Sequence, residues 1–335
     1  MSLSPADDIA LSQIGPAGQE PPPGGADLVG RSPGQLALAR LRRDRTAIAS
    51  GAVLVVFFVV ALGAPLIERL CGVGPQRQFQ DSLDTFGMPL GYAGGITGGH
   101  WFGLEPGLGR DIFIRMVYGL RTSLFIALTA AVITTVVGVA AGVLAGYLGG
   151  WVDTLVGWVT DFALAMPFLI VALALVPTVT LRFYGPRQAE PALFRVAVLI
   201  VVFAVFGWTG AARLVRGQIV SLREREFVEA ARASGVGLVH MMVRQLLPNI
   251  WAPILVSFSL AVPSYVTGEA VLSFLGIGVV DPTPDFGAMI FRSIDYLQTD
   301  PAYVLFPGVT IFALVLAFNL FGDALRDALD PKSSR

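Results

Sequence analysis

Charge is what this sequence has least of. Asp, Glu, Lys and Arg make up 14% of its 335 residues, where a soluble domain carries about 25%. Hydrophobic residues make up 54% and mean hydropathy is +0.70. Too little polar surface is left to face water, so the natural solvent is lipid. Net charge is -1, which excludes the basic field of a nucleic-acid binder. Cysteine occurs once, at Cys71, so neither an intramolecular disulfide nor a cysteine metal cluster can form. The two histidines, His100 and His240, are far apart, and no catalytic or metal-ligating cluster is visible. Lys332 is the only lysine, a preference for arginine from which no function follows. No GxxxxGK[ST] loop occurs, so the chain has no phosphate cradle of that kind.

What is present is a series of charge-free runs. A membrane helix needs about 20 mostly apolar residues. Runs at 46–67, 122–152, 162–181, 196–212, 245–268 and 301–322 meet that need, with 151–161 as a polar-dotted entry to the third. The stretch 270–280 is half the needed length, carries Gly276 and Gly278, and is expected as a loop packed near the surface. The expected fold class is therefore an all-α integral membrane protein with six transmembrane helices. Its parts are a disordered cytoplasmic tail (1–35), a first span with a basic flank (36–69), an extracytoplasmic segment (70–121), a core of five spans (122–325) and a cytoplasmic tail (326–335). The proline-rich 21–25 region supports the disordered tail. Arginines at 40, 42, 43 and 45, then between 213 and 244, then at the end of the chain, vote for N-in and C-in. Arg110, Arg115 and Arg121 fall on the opposite side and weaken that vote.

Gly138, Gly142 and Gly146 recur every four residues in the second span. Such a stripe suits a tight helix interface, with a substrate contact as the alternative. Pro167 and Pro263 should kink or loosen the third and fifth spans. No pair of charges is expected deep in a span. Asp161, with Asp153 two turns before it, reads as a cap or a link to a neighbouring loop, or as a functional acid. The missing ion relay argues against a secondary carrier or channel, and places the energy source outside this chain. Glu269, Asp281 and Asp285 read as a solvated outer rim, or as acids that meet a peptide amine or a basic patch on another protein.

The loop between the fourth and fifth spans (218–249) carries the strongest signal. Residues 221–235 form a helix in which Arg225, Glu229 and Arg232 are spaced to pair on the surface. Phe227, Ala230, Ala231 and Ser234 fall near one thin stripe, able to enter a partner's groove. Gly235 is placed to end the helix in a left-handed conformation. A second short helix is expected with Leu238, Met242 and Leu246 on one face. The mixed charges favour docking on a cytoplasmic protein over lying on a membrane.

Glu229-Ala230-Ala231, Gly235 and Gln245-Leu246-Leu247-Pro248 resemble the EAA loop of ABC-importer permeases, departing at Gln245, where an aliphatic residue is usual. Gly103 to Asp111, including Gly109, Arg110 and Asp111, then Arg115, Tyr118-Gly119 and Arg121, resemble the block before the second span in dipeptide/oligopeptide/nickel permeases. Leu104-Glu105 stands there in place of the usual Thr-Asp. Residues 273–278, 282–287, 306–308 and 317–331 resemble the loop after span five and the closing span of the same family. The likeness runs from about 36 to 331 and is to the C-type permease of peptide-class importers.

The resemblance implies a type I ABC-importer permease fold in the bacterial plasma (inner) membrane. It implies a second homologous permease, one or two cytoplasmic ATP-binding subunits that hold ATP and magnesium, and an extracytoplasmic solute-binding protein. This chain would bind no cofactor and hydrolyse nothing alone. Glu229, Ala230, Ala231 and Gly235, with flanking Phe227 and Arg232, would form the ATPase-coupling element. The solute implied is a di- or oligopeptide. Nickel is the alternative, disfavoured because the spans hold no His or Cys. The outer segment would gate the mouth or serve as a scaffold.

Overall fold

In lipid a backbone group left without a partner is costly, so a helix runs until a cap or a turn takes over its terminal groups. That rule sets the element boundaries in the computed structural model, which describes residues 33–185 and 190–330. The expected disorder of the N-terminal tail up to residue 32, and the last residues 331–335 with Lys332, lie outside the described residues.

A short helix α1 (Pro33–Leu41) precedes the first span. The run 46–67 is two helices, α2 (Arg45–Leu62) and α3 (Ala64–Cys71), because Gly63 and Pro65 interrupt it. Asp44 caps α2 by accepting the Thr46 N–H at 2.8 Å. The second span is α4 (Ile112–Leu148), which begins ten residues before the charge-free run. Asp111 starts it by accepting the Ile114 N–H at 2.9 Å, and Gly149 at φ +65° ends it. The third span is a broken pair, α5 (Gly150–Ala165) and α6 (Phe168–Tyr184), bent by 87° at Met166-Pro167. The polar-dotted entry is thus a full helix.

The fourth span, α7 (Ala192–Leu222), extends its run at both ends. After a short helix α8 (Glu226–Ala233), the fifth span α9 (Trp251–Phe274) keeps Pro263 within a continuous helix and includes Glu269. Then come α10 (Phe286–Ser293) and the sixth span α11 (Pro301–Leu329). Among the described residues five helices are long and apolar enough to cross a membrane, and six crossings result if the bent pair is one span. Arg40 donates to the carbonyls of Ala328 (3.3 Å) and Asp330 (2.9 Å). The two ends of the described chain therefore meet at one face, as an even number of crossings requires.

The stretch 270–280 corrects its expectation. Residues 270–274 finish α9, and Leu272, Ile277 and Val279 are buried. Gly276, at φ +78°, reverses the chain so that the N–H groups of Ile277 and Gly278 reach the Leu272 carbonyl at 3.0 and 2.9 Å. The loop folds inward because this turn satisfies the helix end from within.

The glycine stripe of α4 is a helix interface. A Cβ on Gly138 would lie 2.6 Å from Ala211 Cβ, one on Gly142 2.6 Å from the Ala212 carbonyl oxygen, and one on Gly146 2.9 Å from Ile219 Cβ. α4 and α7 touch backbone to backbone there. Beside this contact, Leu120, Leu124, Val266, Leu314 and Phe318 knit α4, α9 and α11 into one core. Ile126, Val176, Leu199 and Leu272 join α4, α6, α7 and α9 into another.

Gly142→Ala should lower unfolding stability in detergent by about 1–3 kcal/mol, as overpacking does. Gly210→Ala, on α7 with nothing within 4 Å of the added carbon, should raise it by about 0.5–1 kcal/mol through helix propensity. Thermal unfolding of the two variants side by side checks the pair of outcomes.

Candidate functional site

α8 is held from one side and open on the other. Val228 is wholly buried and packs with Val143, Val215, Ile219, Met241 and Leu246 in a small core under the ends of α4 and α7. Ala231 is half-buried against the same core. Phe227, Glu229, Ala230 and Arg232 are exposed. Gly235 has φ +74°, and with it the Gly235 N–H reaches the Arg232 carbonyl at 3.0 Å and the Val236 N–H reaches that of Ala231 at 3.2 Å. Only glycine adopts that conformation without strain. The helix is thus stopped sharply and rooted by Val228 and Ala231. The sequence reading missed Val228. Its signal was an apolar residue three before Ala231, the spacing of one helical face.

Two local expectations are corrected. The Arg225–Glu229 and Glu229–Arg232 pairs are not among the ion pairs of the described residues; the Arg232 guanidinium instead lies 5.8 Å from the Tyr147 ring centre. Leu238, Met242 and Leu246 do not share a face. Leu238 is exposed whereas Met242 and Leu246 are buried. The chain turns from a short α-helical stretch at Leu238–His240 into a wide π-helical turn at Met241–Leu246, which alters the side-chain period.

This loop is tied to the spans. Arg223 donates to the Gly146 carbonyl at 3.2 Å. On α5, Asp153 bonds to Arg216 (2.7 Å between Oδ2 and the guanidinium) and Asp161 bonds to Arg213. Both acids link α5 to α7, a helix where a loop was expected. A displacement of α8 would reach α4 and α7 through packed side chains rather than through a flexible tether.

At the opposite end a charged cluster closes over the spans. Gly109, at φ +64°, lets its carbonyl accept the Phe79 N–H at 2.8 Å. Arg110 donates to both Glu105 oxygens, at 2.6 and 2.9 Å, and to Asp281 at 3.0 Å. Arg115 donates to the Pro75 carbonyl at 3.1 Å, and its Nε lies 3.5 Å from Glu105. Tyr303 of α11 donates to Glu105 at 2.7 Å. Arg292 of α10 completes the cluster, 3.4 Å from Glu105 and 3.2 Å from Asp281. Asp111 caps α4 with one oxygen and meets His100 Nδ1 at 2.7 Å with the other. The motif Gly109, Arg110, Asp111 therefore ties the outer segment to itself, to the start of α4 and to the loop that carries Asp281.

Two of the three acids read as a solvated rim are not on it. Glu269 and Asp285 are completely buried, whereas Asp281 stays exposed and there faces three arginines. Glu269 lies inside α9, and Arg115 is buried near the start of α4, so charges do enter the span helices. The charge-free run ended one residue too early to include Glu269, because α9 continues to Phe274.

Burial alone would raise the carboxyl of Glu105, but the hydrogen bond from Arg110, the charges of Arg115 and Arg110 and the Tyr303 hydroxyl outweigh it and hold the group below its ordinary value. Asp281 is likewise held low, with the charges of Arg110 and Arg292 overcoming its burial. A depressed carboxyl contributes stability that is present above its unfolded value and lost as pH falls through the folded one. Glu105→Gln should thus cost roughly 3 kcal/mol near neutrality, as loss of one partner of a buried pair does. The gap to wild type should close as the medium is acidified below the ordinary carboxylate range. Unfolding transitions recorded at several pH values check both parts.

The family described as "Binding-protein-dependent transport system inner membrane component" matches residues 138–335. The N-terminal TM domain of oligopeptide transport permease C matches residues 32–76. The dipeptide transport system permease protein DppC of Alkalihalophilus pseudofirmus is 36% identical over 306 residues, 90% of each chain. The oligopeptide transport system permease protein OppC of Salmonella typhimurium is also 36% identical, over 91% of this chain and 93% of its own. The glutathione transport system permease protein GsiD of the same organism is 37% identical over 90% of this chain and 91% of its own. With its all-helical, multi-pass architecture, the chain belongs to the family of inner membrane components of binding-protein-dependent transport systems, the permeases of bacterial ABC importers.

Proposed function

We propose that this chain is the permease subunit that carries di- or oligopeptides across the membrane, driven by ATP hydrolysed in partner subunits. The observation that carries the reading is α8, a short helix anchored by Val228 under the ends of α4 and α7 with its other face open. The solute class is supported by relatives aligned over nine-tenths of the chain that are named dipeptide and oligopeptide permeases. They favour a peptide over nickel.

In this reading Glu229, Ala230, Arg232 and Phe227 form the docking face for a cytoplasmic ATP-binding subunit that holds ATP and magnesium. Ala231 and Gly235 set its height and angle. Closure of the ATP-binding subunits pushes α8, and the core around Val228 passes the motion to α4 and α7. A second homologous permease supplies the other half of the pathway, and a solute-binding protein delivers peptide from outside. Gly109, Arg110 and Asp111 act on that outer side by holding the outer segment against α4, a scaffold on which the mouth is built.

The first test is to tag the chain in its native membrane, solubilise it gently and identify what co-purifies by mass spectrometry. A second permease together with one or two Walker-loop ATPases is the expected result. A lone chain that moves solute in vesicles without ATP would overturn the reading. Gly235→Leu should insert normally and abolish ATP-driven peptide uptake, because a side chain in the left-handed conformation costs about 1–2 kcal/mol and re-aims α8. Membrane fractionation and an uptake assay on the same cells check it.

A further inference from the structure

Glu269 and Asp285 have no role in the coupling loop or in the arginine network, yet they are among the most deeply buried acids of the chain. Glu269 sits in α9, close to its C-terminal end, and Asp285 is the residue just before α10. Two glycines bring the elements together. A Cβ on Gly119 of α4 would lie 3.6 Å from the Asp285 Cα, and a Cβ on Gly287 would lie 2.8 Å from the Ser273 Cβ of α9. Asp285 is thereby wedged between α4 and α9. It sits against Gly119, one helical turn along α4 from the Ser123 that bonds to Glu269, so the two acids are neighbours on one face of α4.

The donors around the pair can be assigned one by one. Ser123 Oγ donates to Glu269 Oε2 at 2.8 Å, and Ser273 Oγ donates to Glu269 Oε1 at 3.0 Å. Each hydroxyl has a single proton, so both serines are committed. The Val279 N–H goes to Ser273 Oγ at 3.1 Å, and the Ala288 N–H goes to Asp285 Oδ1 at 2.9 Å. Asp285 Oδ2 is left buried with no donor. No cation forms an ion pair with either acid among the described residues; Arg110, Arg115 and Arg292 all face Glu105 and Asp281. Two adjacent carboxylates cannot both stay ionised in a sealed, cation-free pocket, whereas one proton between them turns repulsion into a short, strong hydrogen bond.

We infer that Glu269 and Asp285 form a proton-binding site that holds one proton between them, with Glu269 donating to Asp285 Oδ2. The proton fastens the loop after α9 and the start of α10 onto α4 and α9. Because α10 also carries Arg292, the same proton holds one wall of the charged cluster in place. The inference does not depend on which solute is carried.

Infrared spectroscopy of the full-length protein purified from membranes tests it. Wild type minus Glu269→Gln, recorded at neutral pH, should show the C=O stretch of a protonated carboxyl, shifted in heavy water. Gln keeps the size of Glu and can donate to an ionised Asp285, so the variant should fold. If it does not, Asp285→Asn serves instead, since its amide can donate to an ionised Glu269; the band should be lost there too. Any protonated acid that both proteins share cancels in the difference. Absence of the carboxyl band from the difference spectra would mean that the pair holds no proton and would overturn the inference.

Discussion

The close approach of α4 and α7 is the contact on which the rest of this chain depends. Three glycines one turn apart remove the Cβ atoms of α4 at those positions, and backbone and Cβ atoms of α7 take their place. In lipid the association of helices draws little from apolar burial, since the solvent is as apolar as the side chains, so van der Waals contact at short range has to hold them. The seam runs to the end of both helices. There it becomes the core that receives Val228, Met241 and Leu246. The loop that carries α8 is therefore seated directly on this joint.

A second constraint acts at the other end. The outer segment has little secondary structure beyond a 3₁₀ turn and isolated β-bridges. It is held by charge: one carboxyl, Glu105, is shared among Arg110 of the segment itself, Arg115 of α4, Arg292 of α10 and Tyr303 of α11. Buried ion pairs of this kind add little net stability over an apolar core, but breaking one leaves an uncompensated charge and is costly. Such a cluster defines a single arrangement of the outer elements more than it strengthens the fold. The two ends thus use opposite physics, close apolar packing below and paired charge above.

The family reading needs neither end to perform chemistry. A permease must transmit a displacement and present a path, and the chain invests its polar residues accordingly. Asp153 and Asp161 bind α5 to α7, the arginine cluster binds the outer segment to the spans, and α8 keeps its polar face open. The charge-free spans were the reason for setting aside a carrier that works alone. Buried Glu269 removes part of that reason, and the family assignment now stands on the match along the chain.

By itself, the sequence determined the solvent, the number of crossings, the helix interface along Gly138, Gly142 and Gly146, the left-handed stop at Gly235 and the family. Each follows from local composition or from a spacing along one helix, which are properties of a single segment. It did not determine the break between α5 and α6 as a near right angle, the anchoring of α8 by Val228, or the fate of the outer acids. Glu269, Asp281 and Asp285 look alike in sequence, as acids after an apolar run. Only the return of the chain at Gly276 separates them, setting Asp281 against arginines and Asp285 against Glu269. The partner of a charge is chosen across the fold, by segments distant in sequence, and so is whether that charge meets water or another side chain.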